Sequence, residues 1–127
     1  MAMLLVSLLA TTSVKAVTAP VITSAAPSQV KTHIETIDEK IERYANQYGV
    51  NLLLMKSVVW CESRNNPNAI GDSGHSRGLV QIYDTYHPTI TNEQAFDPDF
   101  SLEFLASNIA QDRGYLWTCY RTITNTP

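Results

Sequence analysis

The sequence predicts a mainly α-helical, small single domain interrupted by one short irregular or β-hairpin segment. Three observations predict it. Ile34, Ile37, Ile41, Tyr44 and Tyr48 recur at three- and four-residue steps, the stripe of an amphipathic helix. The run LLLMKSVVWC (52–61) is apolar at nearly every position, as a buried helix is. The stretch GDSGHSRGLVQI (71–82) then breaks the helical pattern with three glycines, residues that take positive φ without a steric cost.

The 127-residue chain does not enter this domain at once. Residues 3–10 are apolar and small residues follow, with Ala16 and Ala19 ending two cleavage-type sequences, so 1–19 reads as a signal peptide. No Lys or Arg precedes the apolar run, which reduces the basic leader to the α-amino group; a short cytoplasmic tail is the competing reading. The run is too short to span a bilayer, and no membrane span is expected. Pro20 and Pro27 among small residues make 20–31 a flexible linker. The domain occupies 32–127, enough for one core.

Within the domain, Gly49 stops the first helix, as glycine does just past a helix end. Asn51 is a natural N-cap for the second. That second helix is expected to be buried on most sides, and Trp60 and Trp117 are expected in the core rather than in a cleft. Asn66-Pro67 ends the helical pattern. Thr91 or Asn92 caps a short helical turn through Ala95. Pro98 fits the first position of a longer helix with Phe100, Phe104, Leu105 and Ile109 on its apolar face. Asp112-Arg113-Gly114 breaks that helix, and 115–121 closes the domain.

A formal charge of −3 gives no basic footprint, so no nucleic-acid partner is expected. The cluster Glu35, Asp38, Glu39 and Glu42 reads as a solvated helix face, and Arg77 as a solvated arginine. Two cysteines, Cys61 and Cys119, fit an exported chain with one disulfide. Such a bond would stabilise the domain by roughly 4 kcal/mol on a chain-entropy model. The competing reading, Cys61 as a nucleophile, has no cationic neighbour to support it. Cys61, Cys119, His75 and His87 lack the paired spacings of a zinc site, so neither metal nor cofactor is expected.

Glu62 carries the chemistry in this reading. It ends the apolar run 52–61 and opens the polar stretch ESRNNPNA (62–69). Burial disfavours a carboxylate there, and so does the negative end of the helix dipole. A carboxyl group kept protonated near neutral pH can donate a proton to a leaving group. A solvent-facing glutamate without a role is the alternative on position alone.

ESRNNPNA followed by GLVQI resembles the signature of lysozyme-like lytic transglycosylases of the soluble (SLT) type. The spacing of Gly71, Asp72, Gly74, Gly78, Leu79 and Gln81 is also similar to that of goose-type lysozymes. The resemblance runs from about Ile34 to Arg121 and implies a lysozyme-like fold. It also implies a glycosidic-bond-cleaving enzyme acting on peptidoglycan glycan strands; with the N-terminal segment and the cysteine pair, the expected place is the periplasm, wall or medium, and a monomer is expected. In this family one glutamate serves as acid and then base. The muramic C6 hydroxyl attacks C1, and the product carries a 1,6-anhydro ring. An internal nucleophile has a high effective concentration, so no second carboxylate is needed.

The resemblance carries Glu62 over as the catalytic residue and points to Ser63, Ser76 and Gln81 beside it. Ser63 is alternatively an ordinary surface serine, and Gln81 a polar brace of the hairpin. Tyr83, Tyr86, Tyr115 and Trp117 suit sugar faces, and Tyr115 matches a tyrosine that relatives keep near the acid. A hydrolase would need a second carboxylate. The candidates are Asp72 and Asp84, with Asp97 and Asp99 in no decisive context. Asp72 is alternatively a turn residue, and Asp84 lies one position beyond the family's aspartate. The readings that compete with a transglycosylase are a hydrolytic muramidase of the same fold and a catalytically silent glycan-binding module. An accessory part of a phage particle or secretion machine is the third.

Overall fold

The computed structural model describes Ala16 and residues 33–125; the expected signal peptide (1–19) and linker (20–31) otherwise lie outside the described residues. Thr36 opens α1 (Ile37–Tyr48) with a reciprocal cap. Its Oγ1 accepts from the Glu39 N–H at 3.3 Å, and Glu39 Oε2 accepts from the Thr36 N–H at 2.7 Å. Gly49 closes the helix at φ 66°, as expected. Ile34 precedes the cap and is 86% exposed, so the apolar stripe begins at Ile37.

Asn51 caps α2 (Leu52–Ser63), its Oδ1 accepting from the Leu54 N–H at 2.9 Å. Met55, Val58 and Val59 enter the core. The helix is not buried on most sides, however. Leu53 and Trp60, two turns apart, face outward and are 74% and 53% exposed. The Arg64 guanidinium lies over the Trp60 ring at 5.3 Å, so this tryptophan stands at the surface rather than in the core.

Three two-residue strands follow: β1 (Ile70–Gly71), β2 (Ser76–Arg77) and β3 (Ile82–Tyr83). They form an antiparallel sheet in the order β1-β2-β3, with Ile70 opposite Arg77 and Ser76 opposite Tyr83. Leu79 and Val80, between β2 and β3, are fully buried. Gly78 takes φ 76°, and a Cβ there would overlap the Ala95 carbonyl, so glycine lets this turn sit against the next helix. Arg77 is buried rather than solvated, 8% exposed on the central strand, with Nη1 donating to Asn92 Oδ1.

Thr91 and Gln94 form a second reciprocal cap on α3 (Asn92–Phe96). Asp97 caps α4 (Pro98–Ala110), accepting from the Phe100 N–H at 2.7 Å, with Pro98 first in the helix. Leu102, Leu105 and Ala106 of α4 share the core with Ile41, Tyr44 and Ala45 of α1. At the edge of that contact, Asp99 meets Lys40 Nζ at 2.6 Å and Arg43 Nη2 at 2.6 Å, while Glu35 meets Arg43 Nη2 at 2.8 Å. Glu35 therefore belongs to an inter-element ion cluster and not to a solvated face.

A short 3-10 turn (Gly114–Leu116) leads to α5 (Thr118–Thr124). Trp117 is buried between them, its Nε1–H donating to Val80 O at 2.8 Å. Cys61 and Cys119 are joined in a disulfide that ties α5 to the end of α2. The result is a small, mainly helical domain with a three-stranded sheet along one side. No helix among the described residues is long and apolar enough to cross a membrane.

Candidate active site

Glu62 stands in the last turn of α2 and is half-buried. Its side chain enters a cavity of about 550 Å³ walled on one side by the sheet segment and on the other by the approach to α5. Asp72, Ser76, Gln81 and Tyr83 line the first wall; Leu116, Trp117 and Thr118 line the second. The backbone N–H of Cys119 donates to Glu62 Oε1 at 3.4 Å.

Burial is the main influence on this carboxyl and raises its pKa above the ordinary glutamate value. The Cys119 N–H works against it, and the nearby Asp72 carboxylate adds a further rise. A proton therefore stays on Glu62 at a higher pH than on an exposed glutamate. A protonated carboxyl in an open cavity is an acid that a bound substrate can reach.

Asp72 lines the same cavity as Glu62, and it accepts a hydrogen bond from Ser76 Oγ. Asp72 and Ser73 have φ of 48° and 57°, so the turn presents the carboxylate from an unusual backbone conformation. Ser76 is 4% exposed. Gln81 reaches the cavity, while its Nε2 donates to Gly78 O at 2.9 Å and Ala69 O at 3.3 Å. A Cβ on Gly71 would meet the Gln81 amide oxygen, so a glycine at this position makes room for the side chain. Gln81 therefore braces the hairpin and faces the cavity at once.

Tyr83 and Tyr86 lie with ring centroids 5.2 Å apart and border two adjoining cavities. The second, of about 470 Å³, is lined mainly by rings, including Phe104, Tyr115 and Trp117, with Arg121 at its edge. The cavities share Gln81, Tyr83, Tyr86, Leu116 and Trp117 and so run into one another. Trp117 is thus both a core residue and a wall of each cavity.

Three of the expected residues are not gathered around Glu62. Ser63 is buried and its Oγ donates to Val59 O at 3.2 Å, turned back onto its own helix. Tyr115 borders only the second cavity. Asp84 borders neither; it pairs with His75 Nδ1 at 3.0 Å, which holds its carboxyl below the usual range. His87 stands edge-on to Phe104 at 5.1 Å, and burial lowers its pKa. Among the described residues no group of three or more His, Cys, Asp and Glu is arranged to hold a metal ion.

Leu116 and Thr118, which line the cavity, and the Cys119 N–H, which meets Glu62, are features that the sequence alone does not assign to the site. The signal for them was the cysteine pair itself. A bond from Cys61 to Cys119 must bring the residues around Cys119 to the neighbour of Cys61, which is Glu62.

The family model described as Transglycosylase SLT domain matches residues 39–122, from the first turn of α1 into α5. No curated protein and no solved structure gives a significant match.

Proposed function

The chain belongs to the Transglycosylase SLT domain family, and from that premise we propose that it is a peptidoglycan lytic transglycosylase with Glu62 as its single acid and base. The observation that carries this reading is the half-buried Glu62, with its raised pKa, opening into a cavity large enough for sugar rings.

The reaction breaks the β-1,4 bond between N-acetylmuramic acid and N-acetylglucosamine. Glu62 gives its proton to the bridging oxygen, and the C1–O bond breaks as positive charge develops at C1. The C6 hydroxyl of the same muramic residue then attacks C1. Glu62, now a carboxylate, takes the proton from that hydroxyl and is restored. No water is consumed, and the product is a 1,6-anhydromuramyl end. Tyr83, Tyr86, Tyr115 and Trp117 provide faces for the sugar rings along the two joined cavities.

A second reading, a hydrolytic muramidase, draws support from Asp72, the other carboxylate bordering the Glu62 cavity. There Asp72 would activate water or stabilise the cation at C1. The substrate and the disulfide both favour action outside the cytoplasm, with 1–19 as the export segment and 32–127 as the catalytic domain.

Mass spectrometry of purified sacculi digested with the chain decides between the two reactions. The transglycosylase leaves muramyl ends lighter by one water. Hydrated, reducing ends would replace it with the muramidase. An intact sacculus would remove both.

A further inference from the structure

Cys61 and Cys119 join the residue just before the acid to the segment that faces it. Cys61 precedes Glu62 in the last turn of α2. Cys119 lies in the first turn of α5 and supplies, from its backbone, the N–H that meets Glu62 Oε1 at 3.4 Å. Leu116, Trp117 and Thr118, directly before it, form one wall of the Glu62 cavity. One covalent bond therefore sets the turn that carries the acid, the donor that orients its carboxyl and the wall opposite.

Trp117 holds the start of that wall, buried and edge-on to Phe104 at 5.8 Å, and the anchoring thins out after it. Among the described residues α5 contributes no fully buried side chain, and Tyr120 and Ile123 pack partly against the core. Trp117 anchors its start through Val80 O at 2.8 Å. The disulfide itself is within reach of solvent, since Cys61 is exposed and Cys119 half-buried.

We propose that the Cys61–Cys119 disulfide is the positioning element of the active site, with Cys119 as the positioning residue for Glu62, so that cleavage requires the oxidised chain. The proposal rests on the reading of Glu62 as the acid. A dithiol opens the bond by two exchanges. Its first thiolate attacks one sulfur and forms a mixed disulfide; its second closes a cyclic disulfide on the reductant. Two electrons and two protons pass to the protein, leaving thiols at Cys61 and Cys119, and nothing else changes oxidation state. Freed from the bond, Thr118 and Cys119 shift relative to α2 about the Trp117 anchor, and the carboxyl loses its fixed orientation. The chain is then silent in a reducing compartment and competent in an oxidising one.

The test compares four samples of the full chain on purified glycan strands: oxidised, dithiol-reduced, reduced then reoxidised, and the Cys61→Ala/Cys119→Ala double variant. Rates are taken per folded molecule, with the folded fraction read from near-ultraviolet circular dichroism and a thermal melt. The proposal expects kcat to fall about tenfold or more in both open forms and to return on reoxidation. It expects KM to stay within about twofold and the alkaline limb of kcat/KM to move by about half a pH unit or more. A disulfide that only stabilises the fold would lower the melting temperature while leaving kcat per folded molecule and the pH profile unchanged, and that result overturns the proposal. Glu62→Gln separates the two claims. If it is inactive while the open forms keep full rate, only the positioning role fails. If it cleaves as well as the wild type, the acid assignment fails and takes the positioning role with it.

Discussion

Glu62 Oε1 accepts a hydrogen bond from the backbone N–H of Cys119, a residue bonded through its sulfur to Cys61, the immediate neighbour of Glu62. The acid and its donor are thus 57 residues apart in the chain and locked to each other by a covalent link beside them. Burial raises the pKa of this carboxyl, and the one donor opposes that rise only in part. The site therefore holds a carboxyl in a state that folding alone would not favour.

Glu62→Gln tests that cost together with the chemistry. With Glu62 as the proposed proton donor, the substitution should lower kcat by about two to four orders of magnitude. Stability should move the other way. A carboxyl whose folded pKa exceeds its unfolded value costs nothing while both states are protonated. The cost grows as pH rises from the unfolded value towards the folded one, and then stays constant. Thermal melts should show the variant more stable than the wild type near pH 7 and the two converging near pH 3. A variant that melts lower than the wild type at neutral pH would contradict the burial argument.

Asp99 has the opposite sign. Hydrogen bonding to Lys40 holds its carboxyl below the usual range, with Arg43 and Tyr44 helping and burial opposing. The stability it contributes is present above the unfolded aspartate pKa and is lost as pH falls through the lower, folded value. Asp99→Asn should destabilise the domain at neutral pH, and the difference should fade in acid. The side chain is 41% exposed, so added salt should shrink the effect as well. Urea melts at two pH values and two salt concentrations check both trends; a difference independent of pH would rule out the ion cluster as its source.

Arg77→Met is expected to be neutral or stabilising, by about 1 kcal/mol. The guanidinium is buried on β2, its Nε and Nη2 have no hydrogen-bond partner among the described residues, and the Asp84 carboxylate feels its charge only weakly, after His75 and Thr85. Asn92, which Nη1 contacts, is exposed and regains its bond from water. Chemical denaturation of the two proteins measures the difference directly. A loss of several kcal/mol would mean that the arginine is paired in solution.

Gly78→Ala should destabilise by about 3 kcal/mol. The added methyl group meets the backbone of Ala95 rather than a flexible side chain, and φ at this position is 76°. Because the turn carries Gln81 towards the cavity, activity should fall along with stability. An alanine variant as stable as the wild type would show that the turn and α3 can separate freely.

Local rules made much of this fold legible in the sequence. Asn51, Gly49, Thr91 and Pro98 each mark a helix end by their own stereochemistry, and each stands where those rules put it. Residues whose place depends on a distant partner were not legible. Trp60 lies outside because the face of α2 that it shares with Leu53 is left exposed among the described residues, and composition does not say which face that is. Arg77 is buried because β2 lies in the middle of the sheet and beside α3, a consequence of topology. Glu62 could be singled out from the chain alone, since an acid closing an apolar helix is a local pattern. Its donor and the wall opposite come from the other end of the domain, and only the cysteine pair linked them.

The most direct measurement follows the Glu62 carboxyl itself by NMR through a pH titration, with Glu62→Gln for assignment, beside the pH dependence of kcat/KM for glycan cleavage. The carboxyl should titrate above the ordinary glutamate value, and the alkaline limb of the rate should coincide with that titration. A carboxyl that ionises at or below the ordinary glutamate value, or a rate that falls at a pH unrelated to it, would contradict Glu62 as the proton donor.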